Sequence, residues 1–439
     1  MRGGLTGNTR SLFVVAAFFI GEIESQAAWN IEPVDLSGEV GWSLSIDTDP
    51  AGEPHAAYFT TNPNGYLQYA SRGASGWVRG PAIEFGNAFA LDNNGQRFFV
   101  NEPRPNFYPH FQVLLDNGLL LGQQLAATRI SEDVFLDFDS QNQPHIGWVD
   151  TSARQLKHSF WDGTSWTTRT VATNPQFQYG NSSFVATMDD NEQLHFAWKN
   201  DVDRVQYAKP NGTTWQISSP FPTRDAFPYD IDVDASGNVH LAYDVSTGNV
   251  HTGGLFYGKF DGTSWTGGRV SGLDNFGGGR SRLVADEAGM PHIFTYDSTF
   301  SGPENLKHVY LEGDAWANET IDSYTSGVSG PDAIEVLLND DGFHVLYATG
   351  NKEIYYATQS TASGLDGDYT GDGIVDAADF VAWRKGMNAQ YSEDNYNAWR
   401  TNFGLTTGAG AAAGSLTSAG AAIPEPATLL LAVAAALGF

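Results

Sequence analysis

The chain of 439 residues contains no cysteine, which excludes a disulfide framework, a zinc–thiolate site, an iron–sulfur cluster and a cysteine nucleophile. Basic residues are also few, since 23 Lys and Arg stand against 51 Asp and Glu and give a net charge of −28. Nucleic-acid binding depends on clustered Lys and Arg, so we expect no nucleic-acid partner. Gly (49 residues) and aromatic residues (13%) are abundant. This composition favours many short strands joined by tight turns.

The N-terminal segment has the layout of a secretory signal peptide. Arg2 and Arg10 flank an apolar run from Leu12 to Ile20, and Ser25-Gln26-Ala27 supplies small residues before a cleavage point. This order is typical of exported chains. We therefore predict a signal peptide at residues 1–27 and an exported protein; the alternative is a buried first strand or helix.

One pattern recurs seven times in the middle of the chain: an apolar strand, a turn containing Asp with Gly or Asn, and a second strand marked by His. The turns are placed at Asp49, Asp92, Asp139, Asp190, Asp234, Asp286 and Asp340. The markers are His55, Phe98, His145, His195, His240, His292 and His344, at spacings of 43, 47, 50, 45, 52 and 52 residues.

A second pattern follows the first by about 20 residues and ends in Trp. It is found at Asp162-Gly163, Asn211-Gly212, Asp261-Gly262 and Glu312-Gly313. We interpret these pairs as the centres of two-residue hairpin turns, in which both residues take positive φ. Each unit then has four strands, the size of a propeller blade.

The fold predicted is all-β: a seven-bladed β-propeller of four-stranded blades over residues 28–361. The last unit lacks a Trp strand, and residues 29–34 resemble the Trp strand at 166–171. We expect this N-terminal strand to complete the last blade and remove free sheet edges. An open solenoid, a sandwich and a propeller of six or eight blades are the alternatives. The repeats resemble sialidase-type, Asp-box-like propellers, although Asp and Gly are adjacent here; the resemblance implies architecture rather than activity.

The repeated histidines are expected to be structural, because a catalytic site breaks a symmetry that structural contacts repeat. We expect each to hydrogen-bond a neighbouring turn or blade. The aromatic residues three positions further on should pack between blades; these are Tyr58, Trp148, Trp198, Tyr243 and Tyr347. Function is expected in the polar loops on the opposite face, at 60–64, 150–154, 200–204, 244–254 and 297–305.

No catalytic motif is found, and no catalytic residue is assigned. A glycoside hydrolase or a polysaccharide lyase stays open, because the spatial arrangement of the many acids is not readable from sequence. His110, His251 and Arg280 depart from the repeat and are the first candidates for such chemistry.

After residue 363 the pattern changes to a 12-residue calcium loop at 368–379. Its predicted ligands are Asp368, Thr370, Asp372, Ile374 (through its carbonyl), Asp376 and Asp379. The loop and the helix after it resemble a type I dockerin, which implies a cohesin-like partner. Ala-Trp-Arg recurs at 382–384 and 398–400, but a second loop is missing. We therefore predict, for residues 364–404, a small α-helical dockerin-like module with one Ca²⁺ and two helices packed by aromatic faces.

The C-terminal segment follows a Gly- and Ala-rich linker at 405–422. Residues 423–439 contain Pro424-Glu425-Pro426 and then an apolar run too short to span a bilayer as a helix. This resembles a PEP-CTERM sorting signal without its basic tail. The resemblance implies an exosortase-like sorting machinery, transient membrane association and release to the bacterial envelope or extracellular matrix. We expect non-enzymatic recognition or scaffolding, with a glycan or protein ligand; the alternative is a polysaccharide-degrading enzyme.

Overall fold

A computed structural model describes the chain over 29–38, 40–60, 66–73, 76–84, 86–101, 109–114, 120–125, 130–173, 175, 184–202, 204–221, 226–245, 254–273, 281–298, 304–324, 334–339, 341–359, 367, 369, 375–386 and 393–404. The strands form seven four-stranded antiparallel sheets. In six sheets the four strands are consecutive in the chain, and in the seventh the N-terminal strand joins the last three strands. The predicted seven-bladed propeller is therefore confirmed.

The strand bounds follow the repeat along the chain. The N-terminal strand is β1 (Asn30–Asp35). Blade 1 contains β2 (Val40–Thr48), β3 (Pro54–Thr60), β4 (Tyr66–Gly73) and β5 (Gly76–Glu84). Blade 2 contains β6 (Gly86–Leu91), β7 (Arg97–Asn101), β8 (His110–Leu114) and β9 (Leu120–Gln124). Blade 3 contains β10 (Ile130–Phe138), β11 (Pro144–Asp150), β12 (Gln155–Trp161) and β13 (Trp166–Thr173). Blade 4 contains β14 (Phe184–Met188), β15 (Leu194–Lys199), β16 (Val205–Asn211) and β17 (Thr214–Ser218).

The remaining blades keep the same plan. Blade 5 contains β18 (Ala226–Val233), β19 (Val239–Val245), β20 (Leu255–Phe260) and β21 (Trp265–Arg269). Blade 6 contains β22 (Arg282–Ala285), β23 (Pro291–Ser298), β24 (Glu304–Glu312) and β25 (Ala315–Tyr324). Blade 7 contains β26 (Ile334–Asn339), β27 (Gly342–Ala348) and β28 (Ile354–Gln359), with β1 as its fourth strand. The first strands of successive blades contact one another, so they surround the central axis.

The N-terminal strand closes the ring, as predicted. β1 pairs antiparallel with β28, and Ile31 lies opposite Ala357. Its side chains also reach blade 1, because Glu32 Oε1 accepts hydrogen bonds from Arg72 Nε at 2.5 Å and from Trp77 Nε1 at 2.9 Å. Pairing with β1 thus covers the edge of β28, and the side-chain hydrogen bonds of Glu32 join the last blade to the first.

A hydrophobic cluster fills each of the seven spaces between neighbouring blades. In six of them, an aromatic ring on the third strand of one blade meets the edge of a Trp in the fourth-strand segment of the next. The pairs are Tyr356–Trp77, Phe111–Trp166, His158–Trp215, Tyr207–Trp265, Tyr257–Trp316 and His308–Trp29, with centroids 5.2–5.9 Å apart. At the seventh, between blades 1 and 2, Arg97 lies over the Tyr69 ring instead.

The hairpins that carry Asp-Gly or Asn-Gly differ from the prediction. In blade 3, Trp161 pairs with Trp166, so four residues form the connection, and Asp162 Oδ1 accepts two backbone N–H groups within it at 2.8 and 2.9 Å. In blade 4, Gly212 and Thr213 form the connection, and Gly212 has a φ of 61° at the first central position. The prediction of an Asp-Gly or Asn-Gly central pair was therefore wrong, because these polar residues precede the central positions or cap the turn.

Two helices follow the propeller, α1 (Ala377–Gly386) and α2 (Glu393–Asn402). Phe380 meets Trp399 at 5.1 Å and Trp383 meets Tyr396 at 5.0 Å between ring centroids. The two aromatic faces thus contact each other, as the repeated Ala-Trp-Arg pattern suggested. Within the described ranges, no helix has the length and apolar character needed to cross a membrane.

Candidate functional site

The repeated histidines bind the turn that precedes them. In blade 5, the His240 Nε2 donates to Asp234 Oδ2 at 3.1 Å, and the Tyr257 hydroxyl donates to His240 Nδ1 at 2.8 Å. Asp234 Oδ1 in turn accepts the backbone N–H groups of Ser236 and Asn238. His240 is fully buried, and both of its ring nitrogens and the turn carboxylate have hydrogen-bond partners within the blade. Buried polar groups are ordinarily paired in this way.

The same arrangement recurs at all six marker histidines. Each Nε2 lies 3.0–3.8 Å from the turn residue, in the pairs His55–Asp49, His145–Asp139, His195–Asp189, His240–Asp234, His292–Asp286 and His344–Asn339. Each Nδ1 meets a third-strand residue, which is Tyr69, His158, Tyr207, Tyr257, His308 or Tyr356. The predicted structural role of these histidines is confirmed.

Two turns begin one residue earlier than predicted. Asp189, not Asp190, accepts the backbone N–H groups of Asn191 and Gln193, and in blade 7 Asn339 accepts the Asp341 N–H. The physical reason is that the carboxylate or amide oxygen must reach both the turn and the His ring.

Burial keeps these histidines neutral. It lowers the pKa of His240 and His195, and lowers that of His292 to about 4. In blade 3, His158 is more strongly affected, and burial together with the nearby His145 lowers its pKa to about 3. A neutral ring whose two nitrogens are both engaged is poorly placed to transfer protons to a ligand.

The aromatic residues three positions after five of the six marker histidines lie between blades, as predicted. Tyr58, Trp148, Trp198, Tyr243 and Tyr347 are all 4% exposed or less. Tyr58 donates to Asp35 Oδ2 of the preceding blade at 3.0 Å, and Tyr347 donates to Asp322 Oδ2 of its own preceding blade at 2.7 Å. They are blade contacts and do not form a platform for a ligand.

Aspartates of the first strands, which surround the central axis, accept backbone N–H groups of the next blade. Asp47 Oδ2 accepts the Leu91 N–H at 2.8 Å, and Asp232 Oδ2 accepts the Ala285 N–H at 2.7 Å. Desolvation raises the pKa of Asp47 and Asp232 to about 6. It raises that of Asp137 to about 7, and the charge of Asp47 adds to this shift. The acids around the axis therefore repel one another as well as neighbouring negative charge.

A different set of buried polar groups occupies the opposite ends of blades 4–6. Because first strands start and second strands end at the loop-bearing face, residues at those positions lie together there. We call this set the loop-end cluster: Lys199, Phe227, Tyr229, Asp244, Ser281, Arg282 and Thr295. Six of the seven are at most 7% exposed, and Arg282 is partly buried.

Within the loop-end cluster, contacts run from blade 4 to blade 5. The Lys199 ammonium lies over the Phe227 ring, 3.7 Å from its centroid. Asp244 is fully buried and accepts hydrogen bonds from the Phe227 N–H at 3.2 Å and from the Tyr229 hydroxyl at 2.9 Å. Burial, followed by the charge of Asp244, raises the pKa of Tyr229, which therefore stays protonated.

The cluster continues into blade 6. Arg282 Nη1 donates to the Tyr229 carbonyl at 3.4 Å, while its Nε and Nη2 bind Glu335 at 2.9 and 2.5 Å. The Ser281 and Thr295 hydroxyls are both fully buried and lie 2.8 Å apart. Buried charges and hydroxyls concentrated at one end of neighbouring blades make this cluster a candidate functional site.

Sequence reasoning missed the loop-end cluster. Its members belong to different blades, and each occupies a repeat position where other blades carry a different residue type. Of the three off-pattern candidates, His110 begins β8 and lies opposite Asn101 and Gln124. His251 and Arg280 lie outside the described residues, although Arg280 directly precedes Ser281.

Of the six predicted calcium ligands, the structure describes Asp376 and Asp379, which lie at the start of α1. Asp376 Oδ1 accepts the Ala378 N–H at 2.6 Å, and the buried Asp379 accepts the Asp376 N–H at 2.7 Å. This is a reciprocal helix cap. Asp368, Thr370, Asp372 and Ile374 lie outside the described residues, as does the Pro424-Glu425-Pro426 triplet. In the described part of the chain, no three His, Cys, Asp or Glu residues are grouped as a metal site.

No protein-family model and no curated protein matches the sequence. Among solved structures, the chain resembles an ulvan lyase, a polysaccharide lyase bound to -[GlcA(1-4)Rha3S]-, with a TM-score of 0.54 and 12% identity over 75% of this chain and 96% of that chain. Another structure of this lyase gives a TM-score of 0.52. A six-bladed fucose-binding lectin from Aleuria aurantia aligns at a TM-score of 0.43, with 13% identity over 68% of this chain and 99% of the lectin. At these identities the similarity shows the propeller fold alone.

Proposed function

We propose that this protein is an exported carbohydrate-recognition propeller that binds a glycan at the loop-end cluster. The observation that carries the proposal is the collection of buried Lys199, Asp244 and Tyr229 at the face where the polar loops begin. Burying such groups is costly, and their hydrogen-bonding capacity suits sugar hydroxyls. The carbohydrate-cleaving propeller of similar fold is consistent with this ligand class.

Recognition is favoured over catalysis by the state of the titratable groups. The Tyr229 hydroxyl donates to Asp244 and has a raised pKa, so it does not serve as a base. The marker histidines are engaged at both nitrogens and lie at the opposite ends of their strands. The described part of the cluster therefore offers binding groups without a ready general base.

A polysaccharide lyase is the second candidate. Such an enzyme needs a cation to stabilise a substrate carboxylate and a base to remove a proton. Lys199 supplies a cation in the loop-end cluster, and Arg280 and His251 are close in sequence to Ser281 and Asp244. This proximity along the chain is the specific reason to assay cleavage together with binding.

We further propose the accessory features that the sequence predicts. Residues 1–27 direct export, and residues 423–439 engage an exosortase-like machinery and associate transiently with the membrane. Oxygen donors at all six predicted positions of the 368–379 loop fit Ca²⁺, and Asp376 and Asp379 already face one helix start. The ion would stabilise a domain too small to fold well unaided; a cohesin-like partner for it stays a prediction.

The test uses the purified exported chain with Ca²⁺ and a panel of plant, algal and bacterial polysaccharides. Binding is measured by affinity electrophoresis, and cleavage by the appearance of new reducing ends and unsaturated products. We expect retention on at least one glycan without new chain ends. Release of unsaturated fragments would establish the lyase, and absence of binding to every glycan would refute carbohydrate recognition.

A variant pair locates the binding site. Tyr229→Phe removes a hydroxyl from the loop-end cluster and should weaken glycan binding about tenfold, because it also leaves Asp244 short of a donor. Tyr347→Phe removes the corresponding kind of Tyr–Asp hydrogen bond elsewhere and should leave binding unchanged. Equal losses in both variants would mean that the effect is on stability.

A further inference from the structure

In blade 6 the marker histidine belongs to a longer chain of titratable groups than in blade 5. His292 Nε2 lies 3.4 Å from Asp286 Oδ2, and its Nδ1 lies 2.8 Å from His308 Nε2. His308 Nδ1 in turn lies 2.9 Å from Glu319 Oε1. We call these four residues the blade 6 chain. It has a carboxylate at each end and three contacts, each of which needs one proton to be a hydrogen bond.

The protons available at neutral pH are fewer than the contacts. A neutral imidazole carries one N–H, so two neutral rings supply two protons, and an ionised carboxylate supplies none. Burial lowers the pKa of His308, and burial together with the nearby His308 lowers that of His292 to about 4. Desolvation raises the pKa of Glu319, but its hydrogen-bond partners, His308 first, outweigh this, and the net shift is downward. The blade 6 chain is therefore one proton short.

Blade 3 contains the same pair of rings without the shortage. His145 and His158 stack as the blade 6 rings do, and their facing nitrogens lie 3.1 Å apart. The residue opposite His158 in the next strand is Arg169, at the position that Glu319 occupies in blade 6. A guanidinium accepts no hydrogen bond, so two N–H groups are enough for blade 3. The shortage thus comes from a carboxylate at one strand position.

The exposure of the two ends decides which contact lacks a proton. The Glu319 side chain is 15% exposed, and its Oε1 also accepts Gln359 Nε2 at 3.2 Å, whereas the Asp286 side chain is 31% exposed. A bare ring nitrogen that faces a carboxylate costs least where water can reach both groups. The contact without a proton is therefore that of His292 Nε2 with Asp286, which is also the longest of the three.

Among the described residues, the other side chains that contact the two rings are uncharged at neutral pH. They come from the segment before β1 and from β23, β24 and β27, and they are Trp29, Phe294, Tyr310 and Phe343. Tyrosine ordinarily titrates near pH 10, well above the range considered. The carboxylates that act on the pKa values of the two rings are thus Asp286 and Glu319, the two ends of the chain.

We infer that the blade 6 chain forms a pH-sensitive contact with the turn that begins at Asp286. At neutral pH, His292 carries its proton on Nδ1, the reverse of His240, which carries it on Nε2. On acidification, a proton from solvent binds the lone pair of His292 Nε2, no other bond is broken, and the ring then donates to Asp286. The hydrogen bond from ring to turn is present in blade 5 at neutral pH and forms in blade 6 only in acid. This contact is separate from the loop-end cluster and does not depend on its ligand.

The test locates the ring protons by NMR of the whole protein labelled with ¹⁵N-histidine, because a ring nitrogen that carries hydrogen differs in chemical shift from a bare one. His292→Phe introduces the residue type of blade 2 and identifies the His292 signals. We expect hydrogen on His292 Nδ1 alone at pH 7 and on both nitrogens below about pH 4. His240 should carry hydrogen on Nε2 alone at pH 7.

Glu319→Gln supplies the missing proton, because an amide can donate to His308 Nδ1 while its oxygen still accepts from Gln359. The ring protons then shift along the chain, so His292 should carry hydrogen on Nε2 at pH 7 and lose its titration near pH 4. Glu312→Gln is the matched control, since it removes the same charge from an exposed turn of the same blade and should leave His292 unchanged. If Glu319→Gln does not fold, His308→Tyr gives blade 6 the tyrosine of blade 5 and should place the His292 proton on Nε2.

Two results would overturn the inference. The first is hydrogen on His292 Nε2 at pH 7 in the wild type, whether or not Nδ1 also carries one. The second is a proton on His292 Nδ1 in the folded Glu319→Gln or His308→Tyr variant, because the proton position would then not depend on the shortage. The wild-type measurement at pH 7 decides the question even if neither variant folds.

Discussion

The turn–His–Tyr contact of blade 5 predicts a specific pattern of stability changes. Tyr257→Phe removes the hydroxyl that donates to His240 Nδ1 and leaves this nitrogen without that partner in a fully buried ring. An unsatisfied buried polar group costs about 1–3 kcal/mol. We therefore expect the free energy of unfolding to fall by about 1–3 kcal/mol, with the ring contact to Trp316 kept.

Blade 2 shows how the loss can be compensated. It has Phe98 where other blades have His, and Phe111 where they have Tyr or His, and these rings stack at 5.1 Å with an angle of 8°. The double variant His240→Phe/Tyr257→Phe reproduces this pair in blade 5. Replacing both partners of a buried hydrogen bond with apolar groups can be nearly neutral, so the double variant should cost about 1–2 kcal/mol less than the sum of the single ones.

The assay is urea unfolding followed by tryptophan fluorescence, with linear extrapolation to water. Tyr66→Phe, on a half-buried ring outside the repeated set, gives the ordinary cost of losing a tyrosine hydroxyl. The view that these contacts act as coupled pairs would be refuted if the double variant lost as much free energy of unfolding as the two single variants together. A loss below about 0.5 kcal/mol for Tyr257→Phe alone would also refute it.

Three further predictions test other parts of the molecule. Asp232→Asn keeps an acceptor for the Ala285 N–H but replaces the oxygen that accepts the Val233 N–H. Because burial raises the folded pKa of Asp232 from 3.8 to about 6, the carboxylate destabilises the wild type above that range, so the stability of the variant relative to wild type should be about 1–3 kcal/mol greater at pH 8 than at pH 3.5, as measured by urea unfolding. Trp316→Ala should cost about 3–5 kcal/mol in the same assay, since it empties the space beside the Tyr257 ring. Chelation of Ca²⁺ should reduce helical circular dichroism and expose the α1–α2 aromatic residues to quenching; Asp372→Asn should reproduce this without chelator, and an unchanged spectrum would contradict the calcium site.

The repeat allowed much of the fold to be predicted from sequence. Each blade repeats the same strand order, and in five blades a marker His followed three positions later by an aromatic residue identifies the second strand. Trp29, placed like the Trp of a fourth strand, was enough to predict how the ring closes. The same regularity explains the errors at Asp190 and Asp340, where two adjacent polar residues fit the turn equally well by sequence.

The loop-end cluster could not be predicted for a physical reason. Lys199, Asp244 and Ser281 come from three blades, and no local pattern records that they lie at the same end of adjacent strands. Polar residues near strand ends are ordinarily solvated. Only the three-dimensional arrangement shows that all three are buried. Sequence therefore predicts what repeats in this protein, and misses the positions where blades differ.

The closing strand has a consequence for folding. Ile31 pairs with Ala357, so the hydrogen bonds that complete blade 7 form between segments separated by 326 residues. Contacts this distant in sequence are slow to form, since loop closure must precede any gain from them. Blades 1–6 can assemble in order as the chain emerges, but blade 7 stays short of a strand until both ends of the propeller meet. Until then two sheet edges face outward, and the incomplete ring is exposed to pairing with other chains.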